Sequence, residues 1–238
     1  MSAAKATTLG GTLSCMETRA MAPESEQETG RGLIYFADPM CSWCWGFSPV
    51  MQAVRERFAD LPVRLIAGGL SPGVRTPLDE RAKAGIREHW QQVAERAGAE
   101  FDYGFFERPS FIYDTEPACR AMVVVQAHAP QASVDFLRHL QAAFYRHNRD
   151  ISDRAVLCEL AGEFGFNRQT FARQFDSEHI RQETRNHFSV TRQMGVKGFP
   201  ALFAVDARGR HVITSGYRER EEVCEAIRRW LAAGSENE

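Results

Sequence analysis

DPMCSWCWGF, residues 38–47, sets two cysteines two residues apart, with Trp43 between them and Trp45 just after. Cys41 and Cys44 are the only close pair among six cysteines; Cys15, Cys119, Cys158 and Cys224 are scattered. Three chemistries use such a pair. A structural zinc site wants four ligands, usually as two close pairs, and the other cysteines lack histidine partners at zinc-like spacing. A purely structural disulfide across two residues closes almost no loop and removes little entropy from the unfolded chain. A redox dithiol is left as the leading reading.

The flanks say where the pair sits. Residues 33–37 (LIYFA) are a short continuous apolar run, as in a strand buried on both faces. After the cysteines, Phe47, Val50, Met51, Val54 and Phe58 recur at helical spacing. Pro49 inside that helix is expected to kink it. Residues 61–69 (LPVRLIAGG) read as a second strand. This is a βαβ unit with Cys41 at the start of its helix. From Ser71 to about Gly195 the pattern is helix after helix. Thr76, Thr115, Ser152 and Ser177 are the expected N-caps, and Gly98 and Gly165 the expected ends. Phe136, Leu140 and Phe144 recur every four residues as core. The β pattern returns at residues 201–205 (ALFAV), turns through Asp206 to Gly209 and pairs with residues 211–215. An amphipathic helix over residues 219–232 closes the chain. The fold class is therefore α/β: residues 32–75 and 195–238 are expected to form one sheet-containing domain, interrupted by an all-helical insertion at residues 76–194.

Composition narrows the function. The 29 basic and 31 acidic residues balance to a net charge of −2, which argues against a nucleic-acid partner. No apolar run reaches the roughly 18 residues of a membrane span. Residues 1–31 read as a disordered leader without a signal-peptide core, although Cys15 in TLSC faintly resembles a lipoprotein site. The chain is thus expected in the cytoplasm, where disulfides are rare unless catalytic.

A cysteine is nucleophilic as its thiolate, which a helix N-terminus stabilises through unpaired N–H groups and the helix dipole. Cys41 is the expected nucleophile and Cys44, one turn further in, the resolving thiol. Ser42 and Trp43 tune the potential, which across such proteins runs from about −270 to about −120 mV.

A strand, a C-x-x-C at a helix start and a distant Gly198-Phe199-Pro200 before a strand resemble the thioredoxin superfamily. The large helical insert resembles its DsbA-like branch. Residues 38–46, with their D-x-x-C-x-W-C core, and Tyr113-Asp114-Thr115-Glu116-Pro117-Ala118-Cys119 are similar to the predicted disulfide isomerases related to FrnE. The resemblance implies a cis Pro200 beside the dithiol, with the Phe199 backbone turned toward substrate. It also exposes a departure. The buried acid that often lies six residues before the first cysteine is Tyr35 here, so Asp38, Tyr35 or water would have to move protons. For Asp38 a plain turn role before Pro39 stands equally. Met40, Trp43, Trp45 and Phe199 either line a substrate groove or pack the seam between domains. Asp114 and Glu116 are loop and first-turn residues, or reach the cleft. Cys119 and Cys158 read as core thiols and the seven histidines as surface.

The expected activity is thiol–disulfide oxidoreductase or isomerase, acting on protein or small-molecule thiols and disulfides. It needs no metal or organic cofactor, glutathione being a candidate co-substrate, and a homodimer is allowed. A second reading is glutathione-dependent chemistry of the kappa-transferase or hydroxychromene-carboxylate-isomerase type. Those proteins usually carry a serine or a lone polar residue where this chain has Cys41 and do not need Cys44. A third is a non-catalytic binding module, for which both cysteines would be dispensable.

Overall fold

The computed structural model describes residues 31–235; the expectations for the leader, Cys15 included, lie outside the described residues. Four strands form one sheet: β1 (Gly32–Ala37), β2 (Val63–Ala67), β3 (Ala201–Asp206) and β4 (Gly209–Ser215), in the order β2-β1-β3-β4. β1 runs parallel to β2 and antiparallel to β3, with Tyr35 opposite Leu65 on one side and Leu202 on the other. β3 and β4 form the expected hairpin, with a register shift at Leu202/Phe203. The central place of β1 explains why 33–37 is apolar on both faces. Leu33, Tyr35 and Ala37 face the main core, while Phe36 joins Ile66, Ala201 and Phe203 in a smaller one.

Eight α-helices accompany the sheet among the described residues: α1 (Ser42–Arg57), α2 (Glu80–Ala97), α3 (Glu116–His128), α4 (Ser133–Tyr145), α5 (Arg154–Glu163), α6 (Arg168–Asp176), α7 (Glu178–Gln193) and α8 (Arg220–Ser235). α1 and α8 supply Phe47, Val50, Met51, Val54, Val223 and Ile227 to the main core. On the other face Val190 and Met194 at the end of α7 pack against the smaller one. Pro49 is accommodated inside α1.

The caps follow the expected chemistry with two shifts of position. α2 is capped by Asp79, which accepts from the Ala82 N–H, and not by Thr76. α5 is capped by Asp153, one residue beyond Ser152. Aspartate competes well with serine or threonine for this role, and its charge also suits the positive helix end. Ser177 caps α7 as expected, and Gly98 ends α2 at φ +65°. Thr115 precedes α3 but does not cap it: its hydroxyl accepts from the Ser71 N–H, and Asp114 instead takes the Glu116 N–H. The short α6, capped by Asn167, was not expected.

One histidine departs from the surface expectation. His187 on α7 is half-buried, and its Nδ1 accepts from the Ala67 N–H at 3.1 Å, tying α7 to the end of β2. Burial, helped by the nearby Arg64 charge, pushes its pKa down to about 4. The folded value lies below the unfolded one, so its contribution is complete above about pH 6.5 and is lost as pH falls toward 4. The loss amounts to about 3 kcal/mol at most. A His187→Gln variant keeps an acceptor but cannot titrate. Urea unfolding at pH 7 and pH 4.5 is expected to show a steeper acid loss for the native chain; equal slopes would rule the assignment out.

Candidate active site

Cys41 is the N-cap residue of α1, in extended conformation (φ −91°, ψ 113°). The turn before it is closed by the Cys41 N–H donating to the Asp38 carbonyl at 3.1 Å. An N-cap side chain normally accepts from the free N–H groups of the first turn. Asp79, Asp153, Asn167 and Ser177 do so on their helices. On α1 no side chain caps these donors, and the first turn carries no acid. The Cys41 sulfur therefore occupies the place of a capping oxygen, where a helix end favours an anion.

Cys41 is 6 % exposed and Cys44, one turn in, is fully buried; both are free thiols. The Cys41 thiol donates to the Phe199 carbonyl at 3.7 Å. The Phe199–Pro200 peptide bond is cis. Burial first, and then contact with Cys41, pushes the Cys44 thiol well above its ordinary range. The pair is thus asymmetric, with Cys41 slightly exposed and Cys44 fully enclosed.

Beside Cys41 opens a cleft of about 720 Å3 lined by Trp43, Phe199, Gly216 and Tyr217, with Gln92, Glu95 and Arg96 of α2 as its far wall. Trp43 packs on Tyr217 with ring centroids 5.7 Å apart. Phe199 lies so close to Gly68 that a Cβ there would meet its ring at 2.4 Å. Arg96 reaches Glu219 at 3.2 Å across the mouth. Both are exposed, so this bridge contributes little to stability.

Of the residues singled out in the sequence, the structure brings Cys41, Cys44, Trp43, Phe199 and Pro200 together. It places Ser42 half-buried at the first helical position. Trp45 lies in the seam, stacked on Tyr145 at 6.2 Å, with its indole N–H donating to the Glu100 carbonyl. Met40 is fully buried, and its carbonyl accepts from the Tyr113 hydroxyl. Asp114 caps its loop and α3, accepting from the Gly73 and Glu116 N–H groups, and Glu116 pairs with Arg120.

Asp38 is fully buried beneath the turn. Its Oδ1 accepts from the Met40 N–H at 2.9 Å and its Oδ2 from the Leu70 N–H at 2.7 Å. The Cys119 thiol also donates to Oδ2 at 3.3 Å, so Cys119 is wired to the active-site turn, while Cys158 is only half-buried. Burial raises the Asp38 carboxyl above the ordinary range, against the lowering effect of the two N–H donors. Sequence reading missed Tyr217 and the α2 wall, which are distant in the chain and carry no local motif. Among the described residues no group of three or more His, Cys, Asp or Glu side chains could hold a metal, and no helix is long and apolar enough to cross a membrane.

The family model described as a DSBA-like thioredoxin domain matches residues 33–227. A solved structure from Nitrosomonas europaea, provisionally assigned as a protein disulfide isomerase, is 37% identical. It superimposes with a TM-score of 0.79, covering 85% of this chain and 98% of its own. The cytosolic disulfide reductase DsbM from Pseudomonas aeruginosa is 26% identical, with a TM-score of 0.72 over 85% of this chain and 99% of its own. That protein has also been solved with GSH, at 27% identity and a TM-score of 0.69 over 84% of this chain and 99% of the other. Among curated proteins, the ClpXP adapter protein SpxH of Bacillus subtilis is 25% identical over 169 residues, 70% of this chain. The chain spans only 56% of that relative's length.

Proposed function

We propose, from the premise that this chain belongs to the DSBA-like thioredoxin domain family, that it is a thiol–disulfide oxidoreductase working by exchange between Cys41 and Cys44. One observation carries the reading: a cysteine with slight exposure at an uncapped helix N-terminus, with a fully buried cysteine one turn behind it. In the reducing direction the Cys41 thiolate attacks a substrate disulfide. A Cys41–substrate bond forms, and the first substrate sulfur leaves as a thiol after taking a proton. Cys44 then attacks Cys41, loses its proton, closes the Cys41–Cys44 disulfide and releases the second substrate thiol. The electrons come from the dithiol, and a thiol such as glutathione must restore it. No metal or organic cofactor takes part.

Likeness to a cytosolic disulfide reductase, and to that reductase with GSH, favours reduction in the cytoplasm with glutathione as partner. The cleft beside Cys41 has room for a tripeptide or an extended protein segment. The transferase-type alternative is disfavoured by the intact C-x-x-C. The SpxH relatives favour a second reading, a partner-binding role on the same fold. It predicts that a variant lacking both cysteines keeps its function.

The test is equilibration in glutathione buffers, with alkylation and peptide mass locating Cys41 and Cys44. The expected result is a reversible Cys41–Cys44 disulfide with a potential in the reductase part of the superfamily range. Glutathione binding without its oxidation, and no disulfide, would put the transferase reading first.

A further inference from the structure

Closing the Cys41–Cys44 disulfide requires the Cys44 proton to leave a fully enclosed position. Asp38 is poorly placed to take it. Its two oxygens already accept from two backbone N–H groups and the Cys119 thiol. Tyr35 is different. Its ring is 1 % exposed, and its hydroxyl lies beside the Cys44 thiol without forming a full hydrogen bond. No other protein group partners that hydroxyl. A buried hydroxyl left so is uncommon, and its partner in such a site is ordinarily a water.

The structure has a place for one. A cavity of about 20 Å3 is lined by Tyr35 of β1, Ser48 and Met51 of α1 and Gln141 of α4. One water needs roughly 10–15 Å3, so the cavity takes a single molecule and not a chain of them. Gln141 is 0 % exposed, yet neither its Oε1 nor its Nε2 has a protein partner. Two fully enclosed side chains thus leave three polar atoms unsatisfied around one water-sized space. The cavity continues to the surface at Gln52 and Arg138, which bond each other at 3.0 Å. On α1, Cys44, Ser48 and Gln52 are spaced four apart and share one helix face, so the route from dithiol to solvent runs along one side of the helix.

We propose that Tyr35, a water held by Gln141 in this cavity, and the polar rim at Gln52 form the path by which the Cys44 proton reaches solvent. The inference rests on the exchange reaction given above. As the Cys44 sulfur bonds to Cys41 and the substrate sulfur leaves as thiolate, the Cys44 proton passes to the Tyr35 oxygen. The Tyr35 proton passes in turn to the cavity water, and that water releases one to the solvent. The leaving substrate sulfur gains the negative charge and the solvent gains the proton, while Tyr35 and the cavity water end as they began. In reverse, the same chain returns a proton to Cys44 when the disulfide is reduced. Tyr35 relays and does not act as a resident base: burial and the two cysteines hold its own proton firmly.

The experiment uses single turnover of a preformed Cys41–glutathione mixed disulfide, following glutathione release by rapid quench in H2O and D2O. Tyr35→Phe keeps the ring and its packing on Phe47. It is expected to slow release about a hundredfold or more, as loss of a positioned proton-transfer group does, and to change the solvent isotope effect. Iodoacetamide alkylation of reduced Cys41 is expected to be unchanged. Gln141→Met, which fills the water space with an apolar chain, is expected to slow release similarly. If both variants release glutathione at the native rate with the native isotope effect, the path is wrong while the exchange reading stands. If the native protein itself forms no mixed disulfide at Cys41, or never resolves one, the exchange reading falls and the path with it.

Discussion

Replacing Cys41 with serine is expected to abolish disulfide exchange, whereas replacing Cys44 with serine is expected to leave substrate covalently attached. The geometry separates the two. Of the two only Cys41 has any exposure, at the uncapped start of α1, facing the Phe199 carbonyl. A serine hydroxyl there is not ionised near neutral pH and does not attack sulfur. Turnover should therefore fall to background, about 10³-fold or more, as when a nucleophile is removed elsewhere. The Cys44→Ser change leaves the first attack intact and removes the second, so the mixed disulfide at Cys41 accumulates. The measurement is non-reducing mass spectrometry after incubation with oxidised glutathione and an unfolded disulfide-bonded protein. Trapping by the Cys41 variant, with none by the Cys44 variant, would reverse the roles.

Much of this arrangement was legible because it is written in local patterns. An apolar pentapeptide, two cysteines and a helical stripe in immediate succession fix strand, nucleophile and helix. The second β half was readable from ALFAV, a turn and a polar-apolar strand. Cap positions slipped where two capping residues compete: Asp153 beside Ser152, and Asp79 three residues after Thr76. The nine-residue α6 escaped notice because its polar sequence buries only Phe171 and Phe175. Trp43 and Trp45 could have been separated in advance. Two residues apart on a helix they point to opposite sides, so only one could line the cleft. Tyr217, Gln141 and the α2 wall were not readable, because nothing local marks a side chain that joins a cleft or cavity only through tertiary packing. Asp38 shows why a choice between turn residue and buried acid was too narrow, since its backbone closes the turn while its carboxylate anchors what surrounds it.

Asp38→Ala is accordingly expected to cost about 3–5 kcal/mol of stability, a large part of the roughly 5–15 kcal/mol that holds a domain together. The buried N–H groups of Met40 and Leu70 would both lose their acceptor, at about 1–3 kcal/mol each. Asp38→Asn discriminates further. Its one carbonyl oxygen can serve Met40 or Leu70, and its NH2 must face the other N–H, donor against donor. A cost of about 2 kcal/mol follows. The pH dependence has a definite sign. Burial raises the folded Asp38 pKa above its ordinary value. The native carboxyl therefore contributes most below about pH 4, and that advantage shrinks as pH rises through the folded value. Asn does not titrate. The stability gap between native and Asp38→Asn chains should thus be widest in acid and narrow toward neutrality, where the N–H mismatch remains. Urea unfolding across pH 4–7 measures the gap, and amide exchange at Met40 and Leu70 reports the two bonds directly. An Asp38→Ala chain within about 0.5 kcal/mol of native would mean that the carboxylate does not hold the turn. If instead the loss appears with exchange accelerated at Leu70, the same carboxylate that anchors the loop after β2 also sets the Cys41 turn, and substitutions at Leu70 or Cys119 would reach the dithiol through it.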